Sequence, residues 1–293
     1  MTTTLPAILL AVAAAVWGLF WIPLRALEAT GLPAGATVTG QFLMPVLIMA
    51  PVAAFLMVRG RASGLSRWHT GLFTGGAFAL YADSLLLTEV SRALILFYVS
   101  PAWSTALEIW LLNRRLTLAR VTAMVLGFAG ILVLLADEGG LPLPRNAGDW
   151  MAITAGIFWA WGSTRVRMDP EASHFENVLS FFLYGSVIAL ALALIPATGL
   201  GAFPRAGTLL NALPWLFLIA AVFLIPIMFM QLYACQHLDP ARVGILLQIE
   251  VVIGIASAGI LTAEPFGWRE ATGFVLVCSS ALTEVFVNRT ASP

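Results

Sequence analysis

Ten apolar runs fall near residues 5–24, 37–58, 70–88, 93–112, 118–136, 149–165, 177–196, 213–235, 241–262 and 270–288, separated only by short stretches rich in Gly, Pro and charge. A helix that crosses a bilayer needs about 17 to 25 predominantly apolar residues, and most of these runs meet that length. The connections are too short to hold a soluble domain. Composition agrees, with 60% hydrophobic and 10% charged residues, where soluble domains carry roughly a quarter charged. The expected fold is all-α and integral to the membrane, with ten transmembrane helices.

The 15 basic residues balance 15 acidic ones, and every base is Arg; there is no Lys. With neither a basic surplus nor a charge run, no nucleic-acid partner is expected. With the N-terminus placed inside, ten arginines lie on that side, most of the bias coming from Arg59, Arg61, Arg67, Arg114, Arg115 and Arg120. The other side holds five. That asymmetry puts both termini in the cytoplasm. The run 5–24 lacks a preceding base and is too long for a signal-peptide core, so it is expected to stay as the first helix. Cys235 and Cys278 sit in apolar runs as small packing residues, without disulfide or metal spacing.

One run carries an unusual cost. Leu238–Leu261 is almost wholly apolar, yet holds Glu250 near its middle and Gln248 just before it. An acid at that depth costs at least a few kcal/mol, so an inward-facing role is the default reading. Subtracting 149 from each position gives a similar run, Arg92–Asn113, in which Pro101 takes the place of Glu250. Leu94–Leu135 then overlays Val243–Glu284, and Trp17-Gly18 matches Trp161-Gly162 at an offset of 144. Five helices per half is an odd number, so the halves insert in opposite senses. The expected organisation is a 5+5 inverted-topology repeat, 1–140 and 141–293, around a central cavity. Interrupted helices at matched places in two such halves mark a solute-binding site.

Several side chains stand out on these helices. Tyr98, Pro101, Thr105 and Glu108 form a polar stripe that should face a cavity or a partner helix. Pro101 frees a carbonyl one turn earlier. Glu108 lies towards a helix end, where an ion pair with Arg114 or Arg115 is expected. Glu250 shares a face with Gly254 and Ser257, and could hold a proton, bind an ammonium or bond across helices. Gln248 points about 200° away from it, so only one of the two lines a central cavity. Trp17, Phe20 and Trp21 cluster before Pro23, and Trp159 lies near Gly156 and Gly162. Trp68, Trp110, Trp150, Trp215 and Trp268 fit an interfacial belt, whereas Trp17, Trp103 and Trp159 sit deeper. Such rings either pack ordinarily or line an aromatic cavity. Tyr81, Ser84 and Thr88 share a face, and Asp83 is a further intramembrane acid. Gly18, Pro23, Gly162 and Pro226 are candidate hinges, each of which could equally be a static kink. The expected binding residues are therefore Trp17, Phe20, Trp21, Tyr81, Tyr98, Pro101, Trp159 and Gln248, with Asp83, Glu108 and Glu250 as coupling groups.

Enzyme chemistry finds little support. Without Lys there is neither a P-loop nor a Schiff base, and no Gly-x-Ser-x-Gly or His-Glu-x-x-His motif occurs. His69, His174 and His237 lie in loops or at helix ends and assemble no metal cluster; no cofactor is expected.

With its duplicated half and the run QIEVVIGIASAGILTAEPFGWREATGFVLVCSSAL, the chain resembles the EamA branch of the drug/metabolite transporter superfamily. Its half-repeat there ends in a helical acid, a Gly-Glu-type turn, an aromatic and a Gly-rich helix, matched here by Glu250, Ala263-Glu264, Trp268 and Gly273. The first half departs, with Arg114-Arg115 at the turn and Pro101 at the acid. The opening VWGLFWIPLR is most similar to the YddG-type aromatic amino acid exporters. That resemblance implies a bacterial inner-membrane exporter of aromatic and other neutral amino acids, working by alternating access; the sequence leaves its oligomeric state open, a monomer among the options. Export of other metabolites or drugs is the rival within the class; an intramembrane enzyme or a lipid scaffold are the rivals outside it.

Overall fold

The computed structural model describes residues 4–60, 67–88, 90–113, 115–135, 144–195, 200, 204–261 and 267–286; a few side chains within these spans, Trp21 among them, lie outside the described set. The described residues form fourteen α-helices and no strand. In order they are α1 Thr4–Gly18, α2 Trp21–Glu28, α3 Ala34–Val58, α4 Trp68–Leu87, α5 Val90–Phe97, α6 Ser100–Leu111 and α7 Leu118–Leu135. The rest are α8 Ala147–Met168, α9 His174–Leu194, α10 Ala206–Ile219, α11 Ile225–His237, α12 Pro240–Leu247, α13 Ile249–Leu261 and α14 Trp268–Phe286. Six helical stretches are long and apolar enough to cross a membrane: 34–58, 68–87, 92–111, 174–194, 206–237 and 240–261. The remaining apolar runs are helical as well, in α1, α7, α8 and α14.

Four of these stretches are interrupted, and proline explains three of the interruptions. A proline cannot donate to the carbonyl four residues earlier. Pro23 thereby leaves Leu19 at the gap between α1 and α2, and Pro101 leaves Phe97 at the gap between α5 and α6. Pro226 leaves Val222, which lies in a π-helical turn, Ala220–Leu224, joining α10 to α11; such bulges absorb a disrupted ladder. The break at Gln248 has no proline nearby. There Gln248 N–H bonds Ile245 O and Val251 N–H bonds Gln248 O, both at 3.2 Å, tightening the turn and releasing the Leu247 carbonyl.

Helix α4 packs between α8 and α9, α3 lies on α9, α7 on α14, α1 on α11 and α13, and α6 on α12. Small residues set the closest approaches, as lipid-embedded bundles require. A Cβ on Gly75 of α4 would fall 2.1 Å from Phe181 O, and one on Gly18 would fall 2.6 Å from Glu250 O. Trp68, Trp110, Trp150, Trp215 and Trp268 are exposed on the outside of the bundle, as an interfacial belt requires. Trp103 is exposed too.

Among the described residues, ion pairs gather at the two ends of the bundle. At one end Arg67 bonds Asp169 and Glu176. There Glu108 accepts from Arg120 Nη1 and from the Ala241 N–H, each at 2.6 Å, and Asp239 lies near Arg120 and Arg167. Among the described residues the partner of Glu108 is thus Arg120, on the next helix, and not Arg115 in the connecting loop. Arg114 lies outside the described residues. At the other end Asp149 accepts from Thr88 Oγ1 at 2.7 Å, from Arg92, and from the Arg145 N–H.

Candidate functional site

Between these charged ends, rings from five helices meet around Phe78 of α4. Their centroids lie within van der Waals range of it: Trp17 at 5.6 Å, Trp159 at 5.2 Å, Phe181 at 5.4 Å, Phe97 at 6.4 Å and Tyr81 at 6.5 Å. Most approach edge to face, the arrangement that ring quadrupoles favour. Phe20 packs on Trp17 at 5.2 Å, Tyr81 stacks on Phe97 at 4.5 Å, and Phe97 meets Tyr98 at 5.3 Å. The helix breaks make this convergence possible. Phe20 lies in the gap after α1, while Phe97 and Tyr98 stand at the gap after α5, so each swings off the regular helical face.

Polar groups edge the cluster. Tyr98 donates to Glu250 Oε2 at 2.8 Å and lies 3.2 Å from the released Leu247 carbonyl. Trp17 Nε1 donates to Gln231 Oε1 at 2.9 Å. Tyr98, Trp159 and Gln231 are fully buried, whereas Trp17, Phe20, Phe78, Tyr81 and Glu250 are only half-buried.

Five of the residues singled out in the sequence, Trp17, Phe20, Tyr81, Tyr98 and Trp159, join this assembly, with Glu250 at its edge. The side chain of Trp21 lies outside the described residues. Gln248 is carried the other way: its Oε1 sits where a Cβ on Gly127 would be, 2.0 Å from that position, and close to Ser280, between α7 and α14. Of the two polar residues at this break, Glu250 is the one turned to the rings. The stripe Pro101, Thr105 and Glu108 faces α12: Pro101 packs on Gly244, Thr105 bonds Pro101 O at 2.8 Å, and Glu108 caps Ala241. Asp83 is buried, and its Oδ2 has no partner among the described residues. Gly18 and Pro23 flank the first break and Pro226 the π turn. Gly162 interrupts nothing, for α8 runs through it, and its bare Cα admits Thr74 of α4.

Phe78, Phe97, Phe181 and Gln231 were not singled out as binding residues. Phe78 could have been found from Tyr81, three residues along the same helical face, and Phe97 from its place beside Tyr98. Phe181 and Gln231 offered no such local signal. Apart from this cluster, a recess of about 480 Å³ opens at the Arg67 end, lined by Arg67, His69, Thr70, Arg165, Met168 and Asp169. Among the described residues no three His, Cys, Asp or Glu side chains gather closely enough to hold a metal ion.

A family model described as "EamA-like transporter family" matches residues 4–136 and again 146–284. No curated protein matches the sequence. Among solved structures 28 chains match. One, described only as "Crystal structure of protein", is 18% identical, covers 98% of this chain and 99% of its own, and superposes with a TM-score of 0.72. At that identity the likeness speaks for the fold alone.

Proposed function

The chain belongs to the EamA-like transporter family of multi-pass membrane proteins that move small solutes, and on that premise we propose that it exports small amphipathic metabolites, aromatic and neutral amino acids foremost, by alternating access. Ten helices in two inverted halves of five surround the aromatic cluster, which is the binding site. Trp17, Phe20, Tyr81, Trp159 and the neighbouring Phe78 and Phe97 hold the substrate's ring, while Tyr98 and Glu250 meet its polar end. Pro101 and Gln248 shape the two breaks that allow this. The protein sits in a bacterial inner membrane with both termini in the cytoplasm, so the Arg67–Glu108 end is the inner gate, closed by its ion pairs.

The observation that carries this reading is the meeting of half-buried rings and one carboxylate at matched helix breaks, midway between two charged ends. Ring faces gathered beside one carboxyl suit a planar apolar side chain with a polar end. Counterflow of labelled tryptophan into liposomes containing the protein tests it. Trp17→Ala should insert normally and lose most of the flux, since the indole supplies both a ring wall and the bond to Gln231. Wild-type flux no faster than in empty liposomes, or full flux in the variant, refutes the assignment.

A further inference from the structure

We infer that Glu250 is an ammonium subsite, so that the substrate class is aromatic compounds bearing an ammonium group, including arylalkylamines with no carboxylate at all. This rests on the binding site proposed above and states which end of the substrate that site reads.

Three observations lead there. First, Glu250 is the one acid among the described side chains that border the ring cluster, and no described Arg or His forms an ion pair with it. The paired arginines lie at the ends, Arg92 with Asp149, Arg120 with Glu108, and Arg167 with Asp239. A carboxyl at this depth is either neutral or held by a positive partner; the described residues provide no such partner, and a bound ammonium would supply it. Second, its recognised hydrogen bond is donated by Tyr98 to Oε2. That bond orients the carboxylate and leaves acceptor capacity for the three donors of a primary ammonium. Third, the surroundings are ring faces: Tyr98 bonded to Glu250, Phe97 packed on Tyr98 and stacked on Tyr81, and Phe78 and Trp17 beyond. An ammonium placed against both a carboxylate and aromatic faces gains from each. No described cationic side chain borders the cluster to receive a substrate carboxylate, so that group is dispensable.

Equilibrium binding to the purified protein in detergent tests this directly, with labelled tryptamine as the probe. Tryptamine and tryptophan should displace it comparably, whereas indole-3-propionate, which keeps the ring and carboxylate but lacks the ammonium, should be at least about tenfold weaker, the equivalent of about 1.4 kcal/mol. Glu250→Gln should weaken tryptamine by about tenfold or more, and Glu250→Asp, which keeps the charge, should recover part of the loss. Failure of tryptamine to bind overturns the inference, as does competition by indole-3-propionate equal to tryptophan, or a Glu250→Gln variant that binds tryptamine unchanged. Should Glu250→Gln not fold, the wild-type competition series decides alone. Binding is read apart from flux: tryptamine that binds while counterflow of tryptophan is absent supports the subsite and overturns transport.

Discussion

Removing Glu108 should destabilise the bundle more than removing its partner as well. Its side chain is 2% exposed, and its two oxygens accept from Arg120 and from the N–H of Ala241, each at 2.6 Å. Glu108→Ala therefore deprives a largely buried guanidinium of its nearest carboxylate and orphans a buried amide at the start of α12. Stranding one partner of a buried pair costs about 3–5 kcal/mol. Arg120 is 13% exposed and keeps Asp239 at 3.8 Å, which reduces the charge part to about 2 kcal/mol, and the lost amide acceptor adds about 1–3 kcal/mol. The single variant should lose about 3–5 kcal/mol. Glu108→Ala/Arg120→Ala removes the stranded charge, so the double-mutant cycle should return a coupling of about 2 kcal/mol. Unfolding in mixed micelles, followed by tryptophan fluorescence, measures all four proteins. A coupling below about 0.5 kcal/mol would place the pair among weak surface contacts and refute the account of the α6–α7–α12 junction.

Tyr98→Phe keeps the ring contacts with Phe97 but removes the donor to Glu250 and Leu247 O; a loss of about 1–3 kcal/mol in the same assay is expected, and an unchanged unfolding midpoint would contradict it. Gly75→Ala places a methyl 2.1 Å from Phe181 O and 2.7 Å from Gly185 N, both backbone atoms that cannot swing aside. Overpacking of this kind costs about 1–3 kcal/mol or more, so the variant should give a lower melting temperature or little monodisperse protein; wild-type behaviour would mean α4 and α9 are not in contact there.

Much of this architecture can be read from local pattern, and what cannot has a common cause. Each apolar run is helical where described, because continuous apolar stretches of that length have few alternatives in lipid. Pro23, Pro101 and Pro226 announce their breaks because the missing N–H acts only four residues away. The break at Gln248 has no proline to announce it and is pointed to only by the 149-residue repeat of the Pro101 break; the group that takes its released carbonyl, Tyr98, lies 149 residues earlier. Direction around a helix axis was legible, since Gln248 and Glu250 must diverge. Which of them faced the rings depended on Gly127 and Ser280, contributed by α7 and α14. Glu108 makes the same point. Arg114 and Arg115 are nearer in sequence, yet Arg120 is the residue that the turn between α6 and α7 brings to it.

The two halves differ where their chemistry matters most. At the 149-residue offset, Tyr98 falls on Leu247 and Pro101 on Glu250. The hydroxyl of one break thus reaches the carbonyl at the equivalent position of the other, 3.2 Å away, but Leu247 has no hydroxyl with which to reciprocate. The carbonyl freed by Pro101, that of Phe97, is met instead by the close approach of Gly156, where a Cβ would stand 2.9 Å off. One break is therefore tied by a hydrogen bond and the other by packing alone. Had the acid been duplicated with the helix, two carboxylates would have entered the bundle, and like charges in low dielectric resist joint ionisation. With Pro101 in place of a second acid, the ring cluster is edged by one carboxyl group rather than two. On the ammonium subsite proposed above, one carboxylate set against rings would select one cationic group in one orientation, which a pair of acids could not do.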